Sequence, residues 1–201
     1  MSIRMLVLVV IPPLLGVGIG YLAGGRLAGF RAIRIRGLWL LWLAAGLQVA
    51  HYYVPLVREL VSDRAMLAVV FAPVLLWLGV NLRHWPAGLR IAGAAIVLGA
   101  ALNAVAIGLN GRMPYSPAAA EAAGLRAGIT TPKNVPAGDG TRLSYLGDII
   151  PIAPLRKVVS LGDLLISGGS CAVVALAMRR HRRESATVQE TRTAIPVGGD
   201  L

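Results

Sequence analysis

Apolar residues in this chain come in long blocks separated by short polar joints, not in the alternation of strands or the one-sided stripe of a surface helix. Five blocks stand out, at 5–24, 37–57, 65–82, 91–109 and 161–178. Each holds roughly 18 to 21 residues, and about 20 helical residues span the hydrocarbon core of a bilayer. The pattern predicts an all-α integral membrane bundle of about five transmembrane helices, one polytopic domain over residues 1–180. A long connection, 110–160, joins the last two blocks, and a polar tail, 181–201, is expected to be disordered and cytoplasmic. Within the connection, Ala118–Ala127 suits a short surface helix and Thr130–Asp139 reads as irregular. Leu143–Val159 is apolar but broken by Pro151 and Pro154, too short to span and suited to lying at the interface.

Punctuation inside the blocks refines this. Pro12, Pro13 and Pro73 predict kinks. Gly16, Gly20 and Gly24 recur every four residues and make a smooth stripe for close approach of another helix, in this chain or in a partner. Trp39 and Trp42 mark one end of the second block and Tyr52 and Tyr53 the other, as interfacial aromatics do. The first block is long, lacks a cleavage site and ends in an Arg-rich joint, so it reads as a span and not a cleaved signal.

Composition agrees. The chain is 56% hydrophobic and 14% charged, with a mean hydropathy of +0.70, too little charge to cover a soluble domain. The net charge of +11 does not indicate nucleic acid. The basic residues cluster beside the blocks, at Arg26, Arg31, Arg34 and Arg36 and again at Arg179, Arg180, Arg182 and Arg183. There they would meet anionic lipid headgroups. The same bias orients the chain in a bacterial plasma membrane with the N-terminus outside and the C-terminus cytoplasmic, which puts 110–160 outside. The one cysteine, Cys171, permits no intrachain disulfide, and neither a metal site nor a cofactor is expected.

Polar groups inside apolar helices are costly and informative. Gln48 and His51 lie three apart on one face of the second block, and Asn103 and Asn110 seven apart on one face of the fourth. Asn110-Gly111-Arg112-Met113-Pro114 closes the fourth block, Leu146-Gly147-Asp148 precedes Ile149, and Ser160-Leu161-Gly162-Asp163 opens the fifth. On the expected topology these gather near the outer interface. Each has a plain structural reading: Asn-Gly as a helix C-cap, Ser160 with Asp163 as a near capping box, Gly-Asp as a turn, and helix amides as interhelical hydrogen bonds. The sharper reading is a polar pocket in which Asp148 and Asp163 share a proton or activate water. Binding candidates are Asn110, Gly111, Met113, Pro114, Gln48, His51 and Asn103; catalytic candidates are Asp148 and Asp163.

These motifs, in this order, with Gly25–Leu27 and Gln48, resemble a family of small bacterial multi-pass membrane proteins described only as a domain of unknown function. The likeness covers about residues 1–180. It implies a topology and no activity. Ser160–Ile166 also looks like the stretch around one catalytic aspartate of lipoprotein signal peptidases, but the Asn-x-x-Asp-Arg pattern of their other aspartate is missing.

Three functions follow as expectations. The first is a non-enzymatic membrane module with a polar site at the outer interface. The second is a membrane-embedded hydrolase using Asp148 and Asp163. The third is a small transporter, for which the inner half of the membrane offers only Asn81.

Overall fold

The computed structural model describes residues 3–33, 36–61, 63–131 and 133–194. Helix α1 (Ile3–Leu22) carries Pro12 and Pro13 within it and leads through a 3-10 turn at Leu27–Ala32 to α2 (Leu38–Tyr53). The second helix does not run on to Val57 as expected. Pro55 lacks an amide hydrogen and crowds its predecessor, so Val54 turns extended (φ −104°, ψ 107°) and a short α3 (Pro55–Leu60) restarts from that proline. Helix α4 (Asp63–Leu82) and helix α5 (Ala87–Asn110) follow. α5 starts a turn earlier than expected, directly after Pro86, and stops at Gly111, whose φ of 73° needs the left-handed region open to glycine.

The long connection corrects the expectation of a purely helical chain. Strand β1 (Met113–Tyr115) pairs in parallel with β2 (Asn134–Pro136), in the run expected to be irregular. Between them lies a short α6 (Pro117–Ala122), capped by Ser116. The broken apolar stretch folds into an antiparallel hairpin of β3 (Ile150–Ile152) and β4 (Lys157–Val159). Alternation was invisible in three-residue strands interrupted by prolines, and β1 and β2 lie about twenty residues apart in the sequence.

Helix α7 begins at Leu161 and remains helical to Ala194, past the expected stop at 178. Beyond Met178 the chain is polar but has neither Gly nor Pro before Pro196, and polarity alone does not end a helix. The rest of the expected tail, 195–201, lies outside the described residues.

α7 is the element the others pack on. α5 runs antiparallel to it: Gly169 sits against Ala92 and Ile96, and Gly99 against Gly162 and Leu165. α1 runs parallel to it, with Gly16 against Cys171 and Val174 and Gly20 against Met178. Two of the three stripe glycines therefore meet a helix of the same chain. Gly24 instead makes the turn after α1, at φ 74°, and Gly25 and Gly29 continue the contact along Met178. α2 and α4 form a second, antiparallel pair. It is pinned where Asn81, fully buried, donates to the Arg36 and Trp77 carbonyls (2.9 and 2.8 Å) and accepts from the Arg36 amide (2.9 Å). Ile33, Leu78, Trp85, Leu89 and Ala177 form the core that joins this pair to α5 and α7, with Trp77 edge-on to Trp85 at 6.1 Å.

The outward faces are apolar: Leu22 is 90% exposed, Trp42 77% and Ile91 72%. α5 and the Leu161–Arg180 part of α7 are long and apolar enough to cross a membrane, with mean hydropathies of 2.1 and 1.8. Val10–Leu22 and Ala72–Leu82 are shorter apolar stretches. Only 28% of each long apolar window is buried, where the core helix of a soluble protein is mostly buried. Apolar faces of this extent point to association with a membrane.

The helix contacts predict an asymmetry between neighbouring glycines. A Cβ on Gly16 would strike the Cys171 carbonyl, whereas one on Gly18 meets nothing. In thermal unfolding of the detergent-purified protein, Gly16→Ala is expected to lose about 1–3 kcal/mol through overpacking. Gly18→Ala is expected to be neutral or to gain up to about 1 kcal/mol from helix propensity. Equal melting temperatures for the two would contradict the α1–α7 packing.

Candidate functional site

The two aspartates are fifteen residues apart in the sequence, and the β3–β4 hairpin folds that distance away. Its register sets Ile150 opposite Val159 and Ile152 opposite Lys157, and the Ile149 amide donates to the Val159 carbonyl at 3.2 Å. Asp148, just before the hairpin, thus returns beside the start of α7, where Asp163 stands in the first turn.

Asp148 is fixed through its backbone. β1 uses alternate residues in two directions: Met113 and Tyr115 bond to the β2 side, Pro114 and Ser116 to Asp148. The Asp148 amide donates to the Pro114 carbonyl (2.8 Å) and its carbonyl accepts from the Ser116 amide (2.9 Å). Gly147 passes so close to the Pro114 carbonyl that a Cβ there would collide with it. The side chain has one described partner, Asn134 of β2, whose Nδ2 donates to Oδ2 at 2.8 Å. Burial is the main reason its carboxyl is pushed up to about 7, and the charge of Asp163 adds to this. The Asn134 hydrogen bond and the Lys157 charge act the other way without cancelling it.

Asp163 is held by its own helix end and by α5. Its amide donates to Ser160 Oγ (3.0 Å), and its Oδ2 accepts from the Ser160 amide (3.3 Å), the reciprocal pattern of a capping box. Asn103 of α5 donates from Nδ2 to Oδ1 of Asp163 (2.8 Å), and Ser160 Oγ donates to Asn103 Oδ1 (2.8 Å). Gly162 leaves the space Asn103 needs; any side chain there would occupy the amide's position.

Both carboxylates line one cavity of about 1110 Å³. Asn134, Lys157, Arg126 and Arg156 line it as well. It continues along α7 past Leu164 and Ser167 to Ser170, with Pro12 of α1 on its wall. Most of the remaining lining is aliphatic. Seven residues separate Asp163 from Ser170, a rise of about 10 Å along a helix.

The other expected site residues have separate fates. Asn103 belongs to the site as the support of Asp163. Asn110 does not line the cavity: its side chain donates to the Ala106 and Arg142 carbonyls (2.8 and 2.9 Å) and accepts from the Arg142 amide (2.9 Å), tying the long connection to the helix end. Gly111 makes the turn after α5, and Met113 and Pro114 are buried in β1. Gln48 and His51 lie on α2, which packs on α4, and His51 is not among the residues that line the cavity. The sequence reading passed over Asn134, Arg126, Arg156, Lys157, Ser167 and Ser170. Only the Arg156-Lys157 pair, placed between two apolar runs, offered a signal.

The sequence model of one protein family matches residues 32–175, that of a family of unknown function. No curated protein matches, and no solved structure matches.

The raised Asp148 carboxyl fixes a pH dependence. Its ordinary value is 3.8 and its folded value about 7, so the folded state holds a proton there that the unfolded chain releases. That stabilisation is complete below about pH 4 and is lost as pH rises toward 7, at up to about 1.4 kcal/mol per pH unit. Asp148→Asn is expected to flatten the stability profile between pH 4 and 7. A wild-type profile with no downward slope in that window would show that Asp148 titrates normally.

Proposed function

The chain belongs to that family, DUF5317, and on the geometry of its own cavity we propose that it is a membrane-embedded hydrolase whose acid–base pair is Asp148 and Asp163. The observation that carries this is the meeting of two carboxylates from separate motifs in one cavity, each within reach of the other's charge. In the reaction, Asp163 takes a proton from water as the water oxygen attacks an electrophilic carbon or phosphorus. Asp148, which holds a proton near neutrality, gives it to the leaving oxygen or nitrogen. One bond to water forms, one bond in the substrate breaks, and the two carboxyls exchange protonation states before the next turnover.

The membrane setting is part of the same reading. Five segments that alternate in direction, α1, α2, α4, α5 and α7, would cross a bacterial plasma membrane with the N-terminus outside. The parallel run of α1 and α7, and the antiparallel run of α5 against α7, suit an odd number of crossings. The cavity then opens at the outer interface, and the Arg-rich turn at 26–36 and the start of the basic run after Met178 fall on the opposite side.

A second reading has its own support. Each oxygen of Asp163 accepts a hydrogen bond, from Ser160 or Asn103, and Asp148 is pinned by backbone bonds to β1, which is what a non-enzymatic module with a purely architectural polar core would need. One experiment separates the two. Wild type, Asp148→Asn and Asp163→Asn are reconstituted in liposomes of bacterial total lipid extract, and new products are followed by mass spectrometry. The hydrolase reading expects wild-type products, a loss of about 10²-fold or more in each variant, and melting temperatures within a few degrees of wild type. An active Asp163→Asn protein would end that reading. Variants that unfold, with no wild-type product, would establish the module.

A further inference from the structure

Three cations line the aspartate cavity, and the charge of one of them, Lys157, acts on Asp148. Arg126 and Lys157 make no ion pair among the described residues. Arg156 spends one donor on the Gly124 carbonyl, at 2.7 Å from Nη2. The chain has only nine acidic residues, and the two in this cavity take their hydrogen bonds from neutral donors of Asn134, Asn103 and Ser160. The lining carries three cationic side chains against two carboxyls, and burial pushes that of Asp148 up to about 7. Arg156 is also one of only two non-glycine residues in the described backbone at positive φ, at 48°.

Below this charged mouth the cavity changes character. Beyond the hairpin its wall is aliphatic at Leu164 and Ile166 of α7, and Pro12 of α1 lines it as well. Cationic at one end and apolar at the other, it matches a molecule with an anionic head and a hydrocarbon tail. A free inorganic anion would leave the apolar part unfilled. A neutral detergent would give the three cations no anionic partner, whereas a phosphate would accept charge-assisted hydrogen bonds from them.

We propose that the cavity is a binding site for an anionic amphiphile, with a phosphate-type headgroup held by Arg126, Arg156 and Lys157 and a hydrocarbon chain laid along α7 toward Ser170. This names the substrate class of the acid–base pair and rests on that reading for its chemistry, but the binding stands apart from turnover. The geometry also makes sense of the pair: a headgroup held by Lys157 is delivered beside Asp148, whose proton is the one a leaving group needs.

The test uses the full chain in uncharged maltoside detergent, with binding of dodecyl phosphate, dodecanol and inorganic phosphate measured by calorimetry. Dodecyl phosphate is expected to bind at least tenfold tighter than either of the others. Lys157→Gln and Arg156→Gln are each expected to weaken it about tenfold, and Arg179→Gln, at the far end of the apolar part of α7, to leave it unchanged. Inorganic phosphate binding as tightly as dodecyl phosphate would mean that no chain is recognised, and dodecanol binding as tightly would mean that no charge is; either overturns the proposal. So would undiminished binding in both cavity variants. A melting temperature for each variant shows whether any loss comes from unfolding, and if Lys157→Gln unfolds, Arg126→Gln at the exposed mouth takes its place under the same criterion. Asp148→Asn is expected to retain binding. Binding without any wild-type product would remove the hydrolase reading and leave this one standing, and product without this binding preference would do the reverse.

Discussion

The contact between α5 and α7 is what the rest of the molecule depends on. Two helices carrying ordinary side chains at the crossing stay 8–10 Å apart, and at that distance the Asn103 amide would fall short of Asp163. Gly99 and Gly162 remove the side chains at the crossing, and Asn103 fills the space with hydrogen bonds to Asp163 and Ser160. Packing of this kind, small residues with polar cross-links, suits helices in a lipid-like medium, where the hydrophobic effect between them is weak. The same α7 receives α1 on Gly16, Gly20, Gly25 and Gly29. One helix therefore sets the position of the others and, through its first turn, the position of one carboxylate.

The second carboxylate is located by an independent device, a small sheet outside the helices. β1 holds Asn134 on one side and Asp148 on the other, and the hairpin then carries the chain directly to Ser160. Rigid elements on both sides matter for chemistry, because an acid–base pair works only within a narrow range of geometries. Burial pushes the Asp148 carboxyl up to about 7, against the opposing charge of Lys157. The other polar cluster, Asn81 with Arg36 and Trp77, has its donors and acceptor filled by backbone groups. It ties the end of α4 to the start of α2.

Much of the site was legible without coordinates. The motifs Asn-Gly-x-Met-Pro, Leu-Gly-Asp and Ser-x-Gly-Asp stood out because polar and conformationally special residues are conspicuous beside apolar blocks. Their local roles follow from residue chemistry: a glycine turn after α5, a capping box on α7. Helix existence was equally plain. Where the expectation failed, at Val57, at 178 and in the connection, the cause was local: a proline acting on the residue before it, a polar run without a breaker, and strands too short to show alternation.

By itself, then, the sequence determined the apolar segments, the medium their surfaces suit, the candidate carboxylates and the caps that hold them, because each of these depends on residues close together in the chain. Only the tertiary structure decided which polar groups meet. It left Asn110 tying the long connection to the end of α5 and His51 on α2, and it brought Asn134, Arg126, Arg156 and Lys157 into one cavity with the two aspartates. Those meetings depend on strand register and helix crossing, which sum many weak contacts across the chain, and no local pattern encodes such a sum.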